Sequence, residues 1–327
     1  MAISHWCPIP DVPGWVTPLS RSSAPDAPPV AANPIPLSEV PDPERMHLSA
    51  APHAFAGLSL DAPRIMGIVN VTPDSFSDGG DAFAHADAIA RGRALWAAGA
   101  DILDVGGEST RPGADPVPVA EEIRRVVPVI TALVADGALV SIDSRRPAVW
   151  QAAAAAGAHI LNDVTALTGD RDSVDVAATL GLPIVLMHML GQPQTMQVQP
   201  RYACAPLDIY DYLARRVTVC EQAGIPRTSL AIDPGIGFGK TIAHNLACLR
   251  WIGVYRSLGC AVLLGASRKS FIGKLAAEGE AKARVPGSLA AALWAIQSGV
   301  RLLRVHDVAE TRQAVTVWQA IRAETTA

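Results

Sequence analysis

The stretch RIMGIVNVTPDSFSDGG, residues 64–80, decides how the whole chain is read. Its residues 65–69 are an apolar run of the length a buried strand needs, and the run stops at Asn70. Thr72, Pro73, Asp74, Ser75, Ser77, Asp78, Gly79 and Gly80 then take over, a run of turn formers that forces the chain into a polar loop. An apolar strand that delivers a polar side chain at its C-terminal end is how parallel α/β proteins build active sites.

Outward from this stretch the pattern repeats. Strand-like runs are predicted at 65–69, 102–105, 139–142, 160–161, 184–187, 230–232, 261–264 and 302–305. Ala-rich, helix-like segments lie near 84–98, 118–135, 147–156, 173–180, 208–223, 241–258, 286–298 and 308–322. Eight βα cycles over about 260 residues predict an α/β fold of the (β/α)8 TIM-barrel type across residues 61–327. A doubly wound open sheet would carry a Gly-rich dinucleotide turn after its first strand, and none is present. Residues 1–60 differ, because 13 of the 26 prolines lie at or before Pro63 and no periodicity survives among them. Proline removes backbone donors and fixes φ, so this segment is read as a Pro-rich, irregular extension, disordered or loosely docked, not as a second domain.

Bulk properties narrow the partners. A net charge of −4 gives no reason to expect nucleic acid or an anionic membrane, so any anion site must be local. Cys7, Cys204, Cys220, Cys248 and Cys260 are scattered with no C-x-x-C pair, which fits a reducing, cytoplasmic setting and argues against both a disulfide framework and a zinc site. No apolar run approaches the roughly 18 residues of a membrane span, and no secretory signal is visible.

The strand ends carry the chemistry. They read Asn70, Asp104, Asp143, Asn162 with Asp163, His188, Asp233, Ser267 to Lys269, and Arg304 with His306. Barrel strands present these ends to one mouth, so residues far apart in sequence converge. Three features suit phosphate: the loop Glu108-Ser109-Thr110-Arg111-Pro112-Gly113, the pair Arg304 and His306 on one side of a strand, and Asn70, whose amide oxygen is a hard ligand for Mg²⁺ on a diphosphate. Asp143, Asn162, Asp233 and Lys269 suit a flat, nitrogen-rich ring, since buried carboxylates need N–H partners. The chain has only four lysines against 23 arginines, which singles out Lys269. The run Pro234 to Thr241 ends in GKT but has Pro234 where a phosphate-binding P-loop needs Gly, so it is read as a Gly-rich loop over a ligand. His188 is compatible with a site role or with packing at the rim.

These segments resemble dihydropteroate synthase. The resemblance is carried by MGIVNVTPDSFSDGG from 66, DVGGESTRPG from 104, SIDSRRP from 141, HILNDV from 159, LMHM from 186, DPGIGFGK from 233, SRKSFIG from 267 and RVHDV from 304. It covers about 64–322 and implies an enzyme of folate biosynthesis that joins 6-hydroxymethyl-7,8-dihydropterin diphosphate to p-aminobenzoate and releases pyrophosphate. It implies a catalytic set of Asp143, Lys269, Arg304 and His306. Pterin diphosphate contacts are implied for Asn70, Thr110, Asp143, Asn162, Asp233, Lys269, Arg304 and His306. Contacts to p-aminobenzoate, where sulfonamides compete, are implied for Thr110, Arg111, Pro112, Phe238, Lys269 and Ser270. Mg²⁺ held through Asn70 and a homodimer are implied as well. Ser144, Ile236 and Ala266 depart from the usual pattern, and Ile236 is expected to alter packing beside the pterin. Corrinoid-linked methyltransferase barrels share the Asp/Asn/Asp pocket but lack the NVTPDSFSDGG and STRPG loops. A silent pterin-binding paralogue would have lost loop or diphosphate residues that this chain keeps.

Overall fold

Successive side chains of a strand point to opposite faces, so each barrel strand divides its residues between the barrel interior and the helix layer. The computed structural model describes residues 52–71, 80–109, 116–192 and 195–323. A short hairpin, β1 (Ala54–Phe55) and β2 (Leu58–Ser59), comes first. Eight parallel strands follow: β3 (Arg64–Asn70), β4 (Ile102–Gly106), β5 (Val140–Asp143), β6 (Ile160–Asp163), β7 (Ile184–Met187), β8 (Leu230–Asp233), β9 (Ala261–Leu264) and β10 (Leu302–Val305). They pair in chain order, and β10 returns to β3 with Arg304 opposite Met66, which closes the barrel. The (β/α)8 architecture read from the sequence is therefore the one observed.

Helices α1 (Gly80–Ala97), α2 (Val119–Ala135), α3 (Pro147–Ala155), α4 (Ser173–Leu180), α5 (Ala205–Gln222) and α6 (Ile242–Arg250) alternate with the strands. Two helices, α7 (Ser270–Ala276) and α8 (Val285–Gln297), separate β9 from β10, and α9 (Val308–Arg322) follows β10. The sequence reading did not anticipate α7, which at 7 residues is too short to show a helical period. The segment read as one helix over 241–258 divides into α6 and a 3-10 helix, Ile252–Leu258. Strands β3, β5, β6 and β8 extend onto Asn70, Asp143, Asp163 and Asp233, because backbone pairing continues past the point where the side chains stop being apolar.

Two apolar regions result. Ile65, Leu103, Ile142, Leu161, Leu186 and Ile232 face outward and pack with helix residues such as Leu95, Ile130, Trp150 and Leu213. Met66, Ile102, Ile160, Val185, Ala231, Leu263 and Leu302 face inward near the strand starts. Phe55 and Leu60, at 1% and 5% exposure, pack against this inner group and form its floor. Arg64 ties the hairpin down by donating from Nε to the Ser59 carbonyl at 2.6 Å. The packed body thus includes residues that the sequence reading left in the extension. Two-residue strands carry too little alternation to be seen, and residues 1–51 lie outside the described residues. Among the described residues no helix is long and apolar enough to cross a membrane.

Candidate active site

The inward positions that are apolar near the strand starts become polar toward the strand ends. Along β4, Ile102 gives way to Asp104, and along β6, Ile160 gives way to Asn162. On β8 Ala231 is followed by Asp233, and on β10 Leu302 by Arg304. One row of ladder partners runs Asn70, Gly106, Asp143, Asn162 across four adjacent strands. Gly106 leaves a gap in that row, since a Cβ there would sit 3.4 Å from that of Asp143.

Arg304 reaches across the mouth from the last strand. Its Nε donates to Asp104 Oδ2 at 2.6 Å and its Nη2 to Asp143 Oδ2 at 2.5 Å. Asn162 Nδ2 donates to the same Asp104 oxygen at 3.1 Å. Asp104 is fully buried, and its Oδ1 has no partner among the described residues. Asp233 accepts the Gly235 N–H at 2.7 Å, and Lys269 Nζ lies 3.9 Å from the centre of the Phe238 ring. The His306 backbone N–H donates to Ser267 Oγ at 3.1 Å, and its Nδ1 lies 3.0 Å from the same oxygen. One mouth therefore gathers Asp104, Asp143, Asn162, Asp233, Lys269, Arg304 and His306.

Residues 66–306 match the family described as pterin binding enzyme. The dihydropteroate synthase of Escherichia coli (strain K12) is 44% identical over 264 residues, 80% of this chain and 93% of that protein. A structure of the Xanthomonas albilineans enzyme in complex with 7,8-dihydropteroate is 48% identical with a TM-score of 0.75, covering 81% of this chain and 96% of that one. A Yersinia pestis dihydropteroate synthase structure with a sulfonamide drug is 42% identical with a TM-score of 0.77, covering 82% and 98%. The chain belongs to the dihydropteroate synthase family of pterin-binding enzymes.

Burial sets the charge states of this synthase-family site. It pushes the Asp143 carboxyl up to about 7 against the pull of Arg304, and it raises Asp233 as well. It pushes the Lys269 ammonium down to about 7, with Arg304 adding to the effect. Burial also opposes the charge of Arg304, but Asp104 and Asp143 prevail and hold it above the usual guanidinium range. His306 is pushed down to about 3 by burial and then by Arg304. It is a neutral ring at physiological pH, so beside Arg304 it offers a hydrogen-bond donor and not a second positive charge.

The remaining sequence assignments fall in different places. Asn70 is the half-buried last residue of β3, and Ser270 is the exposed first residue of α7. Thr110, Arg111 and Pro112 lie outside the described residues. Glu108, read with them as part of a phosphate loop, instead accepts from Arg145 Nε at 3.1 Å, Arg146 Nη2 at 2.8 Å and the Val117 N–H at 3.0 Å. Arg146 also pairs with the fully buried Glu122 at 3.0 Å. Asp163 does not face the mouth group. It accepts from the backbone N–H groups of Thr165 and Leu167 and so shapes the turn after β6. Arg268, at φ 58, pairs with Asp307 and accepts no role in the mouth. Ile236 is fully buried in the outer apolar core. Sequence reasoning placed Asp104 and Ser267 among the polar strand ends at the mouth but gave neither a contact. Parity puts Asp104, two residues beyond the inward Ile102, inside the barrel, whereas nothing separated Ser267 from its polar neighbours.

Proposed function

We propose that this mouth performs the dihydropteroate synthase reaction, joining 6-hydroxymethyl-7,8-dihydropterin diphosphate to p-aminobenzoate to give 7,8-dihydropteroate and pyrophosphate in folate biosynthesis. The observation that carries the reading is Arg304, which joins two carboxylates at one barrel mouth beside Asn162, Asp233 and Lys269. Asp143, Asn162 and Asp233 offer acceptors and an amide to the N–H edge of a pterin, and Lys269 offers a donor to its carbonyl. The N–H groups of Arg304 not engaged by Asp104 and Asp143 can take diphosphate oxygens, and neutral His306 can donate one N–H.

The chemistry then needs no protein nucleophile. The bond between the pterin methylene and the diphosphate oxygen breaks, and the electron pair leaves with pyrophosphate, whose developing charge Arg304 and His306 stabilise. The methylene carbon left behind is cationic, and the carboxylate form of Asp143, which its pairing with Arg304 favours, stabilises it. The amine nitrogen of p-aminobenzoate attacks that carbon, forming the C–N bond, and its proton passes to the released pyrophosphate or to water. Phe238 and Lys269, stacked at 3.9 Å, form one wall for its ring in this reading, with Ser270 and the segment bearing Thr110, Arg111 and Pro112 completing the contacts.

Among the described residues no three His, Cys, Asp or Glu side chains cluster to hold a metal. The donor set suits Mg²⁺ held in another way, through the hard amide oxygen of Asn70, substrate phosphate oxygens and water. Such an ion would neutralise charge on the leaving group. A homodimer in the cytoplasm is part of the same proposal. Trp294 on α8 and Val317 on α9, 53% and 55% exposed, provide apolar surface for a second copy, and a monomer mass in sedimentation would exclude the dimer.

The test is pyrophosphate release from the dihydropterin diphosphate with Mg²⁺, with and without p-aminobenzoate. Release that depends on p-aminobenzoate, with dihydropteroate in equal amount, is the expected result. Pterin binding with no product would overturn it.

A further inference from the structure

The Gly-rich segment between β8 and α6 has several of its backbone polar groups fastened by side chains. The Gly237 N–H donates to Asn245 Oδ1 at 2.7 Å, and the Gly237 carbonyl accepts from Gln197 Nε2 at 2.6 Å. The Gly239 carbonyl accepts from the Tyr202 hydroxyl at 2.8 Å. The Phe238 carbonyl accepts from Lys240 Nζ at 3.0 Å. That ammonium also faces His188 Nδ1 at 3.1 Å, at the end of the neighbouring strand β7. The two segments lie flat against each other. A Cβ at Gly235, whose φ is +67, would sit 1.9 Å from the His188 carbonyl oxygen, and one at Gly239 would sit 2.7 Å from Leu190.

Lys240 is unusual in what it lacks. It is 3% exposed and feels the charge of Asp233 at a distance, yet its hydrogen-bond partners are a carbonyl and an imidazole. Burial holds His188 well below the usual histidine range, so the ring is neutral, and it packs edge-on to Tyr212 with centroids 5.0 Å apart. Burial likewise pushes the Lys240 ammonium down to about 8. A buried cation whose hydrogen-bond partners are neutral detracts from stability, and an apolar side chain of similar volume would not. Stability does not explain this residue. Its geometry does, because it locks the carbonyl of the residue whose ring stacks with Lys269.

We propose that Lys240 is a positioning residue: through the Phe238 carbonyl and the His188 ring it fixes the Phe238 side chain as the wall of the p-aminobenzoate pocket. The inference rests on the assignment of that wall made above. The experiment compares Lys240→Met and His188→Phe with the parent protein, reading both Michaelis constants and the thermal midpoint. For Lys240→Met, KM for p-aminobenzoate rises about tenfold, in line with the effect of loosening a positioned group. KM for the pterin diphosphate stays within about twofold and the midpoint does not fall, as expected when a buried charge is replaced by an apolar group. His188→Phe keeps a ring against Tyr212 and shows the same selectivity to a smaller degree, and it decides the matter if Lys240→Met does not fold. A lowered midpoint with both Michaelis constants unmoved would overturn the proposal, as would equal losses for both substrates. A parent protein without turnover would be a failure of the functional reading instead, visible before any variant is made.

Discussion

The floor and the mouth of this barrel are built from the same strands and the same inward-facing parity, two residues apart. At the floor, Met66, Ile102, Ile160, Val185 and Leu302 meet Phe55 and Leu60 in an apolar layer. At the mouth, Asp104, Asn162 and Arg304 form a polar layer, with Asp104 fully buried, Asn162 at 4% exposure and the Arg304 side chain half-buried where the mouth opens. The first arrangement gains free energy from burial, and the second loses some by desolvating charges. The difference teaches that distance along the strand, and not strand identity, assigns stability to one end of the barrel and chemistry to the other.

Substitutions can break that division. Arg304→Ala has the largest expected effect: kcat/KM for the pterin diphosphate falls by about 10³, the scale of losing an electrostatic clamp on a leaving group. Steady-state kinetics would show it, and a loss under tenfold would mean that Arg304 serves the fold alone. Phe55→Ala acts at the other end, lowering stability by about 3 kcal/mol or more in denaturant titration while both Michaelis constants hold. A change in either constant would show that floor and mouth are coupled.

The smallest effect sharpens the comparison. Lys269→Met should raise the thermal midpoint by a few degrees at pH 6 to 7, measured on the protein without substrate. The folded protein holds the Lys269 pKa at about 7, below the usual 10.5, so between those values the unfolded chain binds more protons and stability rises with pH. The burden of the charged lysine is therefore greatest below pH 7 and disappears above 10.5. The advantage of Lys269→Met should shrink over that window, and a pH-independent difference in midpoint would contradict the assignment.

Much of this was legible in the chain. Asp143, Asn162, Asp233 and Arg304 stand out because a polar residue at the end of an apolar run has few reasons to be there. The parity of Arg304 and His306 placed them on one side. Their partners were not legible. Arg304 meets Asp104 and Asp143 across separations of 200 and 161 residues, and no local pattern encodes which carboxylate a guanidinium will reach. The charge of His306 was hidden for a similar reason, because burial and a neighbouring arginine set it. Lys240 was legible only as part of a Gly-rich loop over a ligand, and the approach of the segment after β7 shows that its ammonium turns inward.

The closing of β10 onto β3 has a consequence for the life of the molecule during synthesis. Arg304 lies on the last strand to be made, while its carboxylates lie on the second and third strands of the barrel. A chain still emerging from the ribosome can pair most of its strands and still have no place to bind a pterin diphosphate. The step that completes the site is the step that completes the barrel, and such long-range closure is the slow part of folding. Substrate binding should thus report on whole molecules only, and a chain cut short before residue 304 would carry Asp104 and Asp143 with nothing to join them.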